Sequence, residues 1–197
     1  MTTPKPRRRP GLERVLATAD RLFYEKGLHA TGVDLIAAEA GVSKATMYTY
    51  FRTKDDLVAQ YLRGRSEAWQ AHVTEQLRAR GGSPEERILR VFDLLGEWFE
   101  TDDFRGCPFI NAEAESDRGA PGHQVNLGHR AWVRTLFAGL LREAGAPGPA
   151  DGADPLARQL AMLYDGAMTS AYAEPGGGWA EAAREAARVL VGRALQG

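Results

Sequence analysis

The chain has 197 residues, of which 44% are hydrophobic and 26% charged, with one cysteine and a formal net charge of −1. That length is enough for one or two compact units with a buried core. No run of about 18 apolar residues is present, so a membrane-spanning helix is not expected. A single cysteine, Cys107, rules out an internal disulfide and fits a reducing cytoplasm. Four scattered histidines without a second cysteine give no zinc pattern, and no metal or cofactor is expected. The small net charge hides an asymmetry. Residues 1–80 carry 14 Lys and Arg against 9 Asp and Glu, a net of +5, whereas residues 81–197 carry 11 against 17, a net of −6. A basic front joined to an acidic back suits a nucleic-acid reader attached to a unit of another kind.

Residues 1–10 (MTTPKPRRRP) place Lys5, Arg7, Arg8 and Arg9 among prolines. The stretch is too polar to fold alone, and no apolar segment follows it as a secretory signal requires. It reads as a flexible arm for phosphates or a minor groove, or else as a solubilising tail. Leu12, Val15, Leu16, Ala19, Leu22 and Phe23 then form one apolar stripe, predicting a first helix that ends at Gly27. Thr31 is expected to start the next helix, with Asp34 at capping-box spacing.

Val33 to Phe51 (VDLIAAEAGVSKATMYTYF) reads as two short helices around a tight turn. Ile36, Ala37 and Ala40 face inward on the first. Gly41 supplies the left-handed residue past its end, and Ser43 caps the second. There Met47 and Phe51 point inward, leaving Lys44, Ala45, Thr46, Tyr48 and Tyr50 largely outside. A helix with a small, polar and aromatic outer face suits insertion into a major groove, although a helical hairpin within a core gives the same pattern. Thr53 and Asp56 are spaced as a capping box for another helix.

Gly27, Thr31, Ile36, Ala37, Ala40, Gly41, Val42, Ser43, Tyr48, Tyr50, Phe51, Lys54 and Leu57 together resemble the N-terminal signature of the TetR family of bacterial transcriptional regulators, over roughly residues 11–60. Gly32 departs from it, standing where the family usually has a second hydroxyl. The resemblance implies an N-terminal helix-turn-helix DNA-binding unit, a C-terminal effector-binding unit, and a homodimer through the last two helices. It implies phosphate contacts by Thr31, Tyr48, Tyr50 and Lys54 beside the Ser43 cap, with Tyr48 and Tyr50 alternatively packing residues. Lys44 and Ala45, joined by Thr46, are the candidates for base edges.

From Lys54 a long helix is expected up to Gly81-Gly82, and Ser83-Pro84-Glu85-Glu86 starts another carrying Ile88, Val91, Phe92, Leu95, Trp98 and Phe99. Gly106-Cys107-Pro108-Phe109-Ile110-Asn111-Ala112 resembles a segment that opens the helix beside the ligand cavity in many TetR-like regulators. Ser116 to Gly122 reads as a loop. Helices are then expected through Val125–Leu141, from Asp154-Pro155 onward, and over about Trp179–Leu195, with a Pro/Gly-rich linker at residues 146–152. The fold class is all-α with about nine helices. Its expected organisation is an arm at 1–10, a DNA-binding domain at 11–55 and an effector and dimerisation domain at 56–197.

No Gly-rich phosphate loop, G-x-S-x-G elbow or metal-ligand spacing is present, so an enzyme is not expected. Trp69, Trp98, Phe109, Trp132, Met162 and Met168 are candidates to line an effector cavity. Asn111, Glu113, His129 and Asp165 are candidates to orient a small apolar or aromatic ligand, each alternatively a structural or surface residue. Cys107, after Gly106 at a helix start, is a candidate redox or electrophile sensor if the helix dipole lowers its pKa, or an inert buried thiol if not. Leu160, Leu163, Ala167 and Ala171 with Ala183, Leu190 and Ala194 are candidate dimer faces, or monomer core. A third reading is a small-molecule-binding protein on the same framework that does not bind DNA.

Overall fold

The computed structural model describes residues 10–146, 148–149 and 154–196. Arm residues 1–9 and most of the Pro/Gly-rich linker lie outside the described residues. Among the described residues there are nine helices and no strand: α1 Pro10–Lys26, α2 Val33–Ala40, α3 Lys44–Tyr50, α4 Lys54–Arg80, α5 Pro84–Phe99, α6 Pro108–Glu115, α7 Pro121–Glu143, α8 Pro155–Ala173 and α9 Trp179–Gln196.

Local chemistry sets most of the boundaries. Thr53 and Ser83 each form a full capping box, with Asp56 and Glu86 reaching back to the cap backbone. The Asp154 carboxylate accepts from the N–H groups of Leu156 and Ala157 at 2.7 and 3.2 Å and starts α8. Two expectations differ from the structure. The cap of α2 is Gly32, without a side-chain bond, because the Thr31 hydroxyl is turned inward. The loop expected up to Gly122 closes earlier, because Pro121 is already helical, its fixed φ suiting the first turn.

α1 packs on α2 and on the start of α4, and α2 on α3, forming a small N-terminal unit. α5, α7, α8 and α9 form the larger bundle, with α4 against α7. Phe92 and Phe137 stack at 5.8 Å in its centre, fully buried with Leu95, Leu141 and Leu160. Burying each such side chain contributes about 1.5–3 kcal/mol. The division expected after residue 55 falls within the first turn of α4, which is continuous. Its Tyr61 ring lies 5.5 Å from Phe23, and Arg65 grips Asp20, so the opening turns of α4 pack with α1.

The faces proposed for dimerisation need correcting. Leu160, Ala167, Ala171 and Ala183 are buried within the protomer, and Leu163, Leu190 and Ala194 are half-buried, because α8 and α9 pack against each other, and α9 against α5. The large apolar residues exposed on these helices are Met162, at 72%, and Tyr172 on α8, and Val189, at 56%, on α9. Met162 therefore points away from the interior that it was expected to line.

Candidate nucleic-acid interface and effector cavity

α2 and α3 are held in a fixed relation by few interactions. Gly41 takes φ +63°, and the N–H groups of Gly41 and Val42 close the end of α2 onto Ala38 and Ala37. The Ser43 hydroxyl accepts from Thr46 N–H at 3.0 Å, and the Ser43 and Thr46 hydroxyls lie 2.9 Å apart. Met47 is buried beneath α3. From α1, Arg14 Nε donates to the Ala40 carbonyl at 2.9 Å, clamping the end of α2 beside the turn. The outer face of α3 presents Lys44, Ala45 and Tyr48 to solvent, with Tyr48 48% exposed.

The eight candidate DNA contacts therefore divide. Lys44, Ala45 and Tyr48 are exposed, and Ser43 and Thr46 lie at the helix start that carries them. Lys44 Nζ pairs with Asp34 at 2.7 Å, which raises its pKa through the hydrogen bond and the carboxylate charge. Thr31 is fully buried and donates to the Leu22 carbonyl at 3.2 Å, so its hydroxyl fastens the loop to α1 and cannot reach a phosphate. Tyr50 is half-buried with its hydroxyl against Gly11, a packing position. Lys54 is half-buried and donates to the Leu28 carbonyl, closing the same loop.

In the larger bundle, α4, α5, α6, α7 and α8 surround a cavity of about 410 Å³ that opens to the surface. Trp69, Trp98, Phe109, His129 and Met168 all line it, as does Cys107. Trp69 and Trp98 lie 5.4 Å apart, and Phe109 stacks on His129 at 3.9 Å. The other four candidates are outside this lining. Asn111 Nδ2 donates to the Arg105 carbonyl at 2.9 Å and braces the turn before α6. Glu113 accepts from Asn126 and pairs with His123, both at 2.8 Å, which lowers its pKa. Trp132 is half-buried with its ring 5.9 Å from His129. Asp165 pairs with Arg130 at 2.5 Å on a cleft of about 10 Å³, too small for a ligand. Burial raises its pKa against the lowering by Arg130.

Cys107 caps α6 but is 6% exposed. Burial pushes its thiol up to about 11, outweighing the N–H groups of Ile110 and Phe109 that favour the thiolate. Burial thus favours the protonated thiol at neutral pH, while the residue still lines the cavity. α6 is also tied at both ends to the N-terminal unit, at its start to α1 and at its end to the loop between α1 and α2. The Tyr24 hydroxyl donates to the Gly106 carbonyl and accepts from Arg105 N–H, each at 2.9 Å. At the other end the Glu115 carboxylate accepts from His29 N–H at 2.7 Å.

Residues 15–61 match the family pattern described as bacterial regulatory proteins, tetR family. Over its whole length the chain is similar to the crystal structure of a TetR-family transcriptional regulator from Streptomyces coelicolor, with 34% identity, a TM-score of 0.78 and 95% of each chain covered. The chain belongs to the TetR family of bacterial transcriptional regulators. A match of 104 residues is 28% identical to the Escherichia coli transcriptional repressor NemR, covering 52% of either protein. A match of 132 residues is 36% identical to the transcriptional activator FasR of Mycolicibacterium smegmatis, covering 67% of this chain and 59% of FasR. The chain thus spans about half the length of such curated relatives. Among the described residues no helix is long and apolar enough to cross a membrane.

Several residues of this TetR-family chain escaped the sequence reading. Arg65, His72, Glu97, Thr101 and Tyr164 also line the cavity. Arg65 gives both oxygens of Asp20 a bond, at 2.6 and 2.8 Å, while its guanidinium lies 4.1 Å over the Tyr24 ring. A charged residue on a long helix carries no sign of this in sequence. Only the crossing of α1 and α4 supplies its partner.

Proposed function

We propose that this chain is a ligand-responsive transcriptional repressor. As a homodimer it holds a palindromic operator through α2 and α3 and leaves it when a small apolar or aromatic effector enters the cavity. The observation carrying this reading is the double attachment of α6. That helix and its cap give Cys107, Pro108 and Phe109 to the cavity, and its two ends are bonded to Tyr24 on α1 and to His29 in the loop between α1 and α2. A ligand favouring a shifted α6 thereby favours a shifted reading unit. Lys44, Ala45 and Thr46 read the major groove, Tyr48 binds phosphate, and the arm at residues 1–10 adds salt-dependent attraction. The residues from α4 onward bind effector and partner. Two reading units double the contacts on half-sites about 34–36 Å apart or a multiple. The exposed apolar side chains of Met162 on α8 and Val189 on α9 support pairing through the last two helices. Repression follows NemR rather than FasR, and the place of action is the cytoplasm.

The test is titration of purified protein on its own upstream DNA at two salt concentrations with random competitor. The expected result is a palindromic, competitor-resistant footprint that weakens with salt, a dimer by light scattering, and reduced reporter expression. Binding that competitor abolishes, both there and on genome-wide selected fragments, sinks the reading in favour of a small-molecule-binding protein.

A further inference from the structure

The charges around the cavity are already matched. Arg65 is bonded to both oxygens of Asp20, and Glu97 accepts from Arg90 at 2.6 Å. An ionic ligand must break one of these pairs or bring a charge without a partner into a half-buried space, and either is costly. Besides the weakly donating Cys107 thiol and the Trp69 indole, the lining holds two buried neutral donors, Tyr164 and His129. The Tyr164 hydroxyl neighbours the Trp69 indole, whose Nε1 is buried without a partner. His129 is held differently. Gln70 Nε2 donates to Ser66 Oγ at 2.8 Å, and Ser66 Oγ lies 3.0 Å from His129 Nδ1. With one lone pair taken by Gln70, the Ser66 hydroxyl is free to give its own proton to Nδ1, the arrangement that puts the ring proton on Nε2. Burial and the adjacent Arg130 hold the ring's pKa at about 4, so it is neutral at pH 7. Nε2 makes no hydrogen bond among the described residues and, unlike Trp69 Nε1, is not sealed off.

We infer that the cavity selects an uncharged aromatic molecule bearing an acceptor oxygen of the ketone, ester or amide type. His129 Nε2–H donates to that oxygen, and Ser66 fixes the tautomer that makes the donation. The flat faces of Trp98 and Phe109 take the body of the ligand, and a volume of about 410 Å³ admits a fused bicyclic ring. The inference rests on the effector reading above and adds the chemistry that the cavity recognises.

Four probes with one body test it: acetylnaphthalene, isopropenylnaphthalene, naphthoate and naphthyltrimethylammonium. Dissociation constants are measured by calorimetry on the full chain. The ketone is expected to bind about tenfold or more tighter than its methylene isostere and tighter than both ions. His129→Leu brings the ketone-to-alkene ratio close to one, His129→Gln restores part of it, Ser66→Ala lowers it, and Tyr164→Phe keeps it. Nitrogen NMR of the wild-type ring shows the proton on Nε2. Equal binding of ketone and alkene, tighter binding of either ion, or a ratio lost in Tyr164→Phe but kept in His129→Leu overturns the inference. Failure of all four probes to bind overturns it together with the effector reading. Preferential binding of the ketone without release of operator DNA retains the inference and removes only the release mechanism.

Discussion

The reading unit and the cavity meet their ligands by opposite means. α2 and α3 carry their contacts on a few consecutive residues, pointed outward by a glycine turn and a serine cap. The cavity gathers side chains from five helices, between Arg65 and Met168 in sequence, and half of its lining belongs to the core or packs against it. An outward face can change without disturbing the fold, whereas a cavity wall doubles as structure. Function and stability should therefore separate in the first region and mix in the second.

The sharpest break in that contrast comes from the bundle centre. Phe137→Ala removes a fully buried ring stacked on Phe92 and is expected to cost about 3–5 kcal/mol in denaturant unfolding. A loss below about 1 kcal/mol would show that the bundle around the cavity is loosely packed. His129 gives the next largest effect. Its folded pKa of about 4 lies below the unfolded value of about 6.5, so the unfolded chain takes up the proton first as pH falls. Its stabilising contribution is complete above pH 6.5 and falls by up to about 3 kcal/mol as pH drops to 4. Unfolding curves of wild type and His129→Phe should diverge in that window, with the flatter profile in the variant.

Tyr24→Phe probes the join between the regions. It leaves Arg105 N–H and the Gly106 carbonyl without their partner, an expected cost of about 1–3 kcal/mol. The effector concentration for half-release of DNA should change as well, and an unchanged response would remove this contact from the coupling. Lys44→Ala has the smallest structural effect. Its pair with Asp34 is exposed, so the melting temperature should stay the same while operator affinity falls roughly tenfold. A parallel fall in both would make Lys44 a structural residue.

Much of the reading unit was legible because capping and turn chemistry is local. Gly41, Ser43 and Thr53 each act on atoms within a few residues. Thr31 was misplaced because its partner, the Leu22 carbonyl, belongs to the preceding helix. Aromatic composition pointed to Trp69, Trp98 and Phe109, but Asn111, Glu113 and Asp165 found partners among side chains and backbone that no spacing rule brings together.

By itself the sequence determined the helical class, most helix limits and the outward face of α3, since hydrophobic period, caps and turns are written in neighbouring residues. Tertiary structure alone decided which polar groups face the cavity and which are spent in pairs. It also decided that Cys107 is buried, which favours its protonated thiol. Burial and ion pairing depend on residues up to about a hundred positions apart in the chain, and only the crossing of helices brings them into contact.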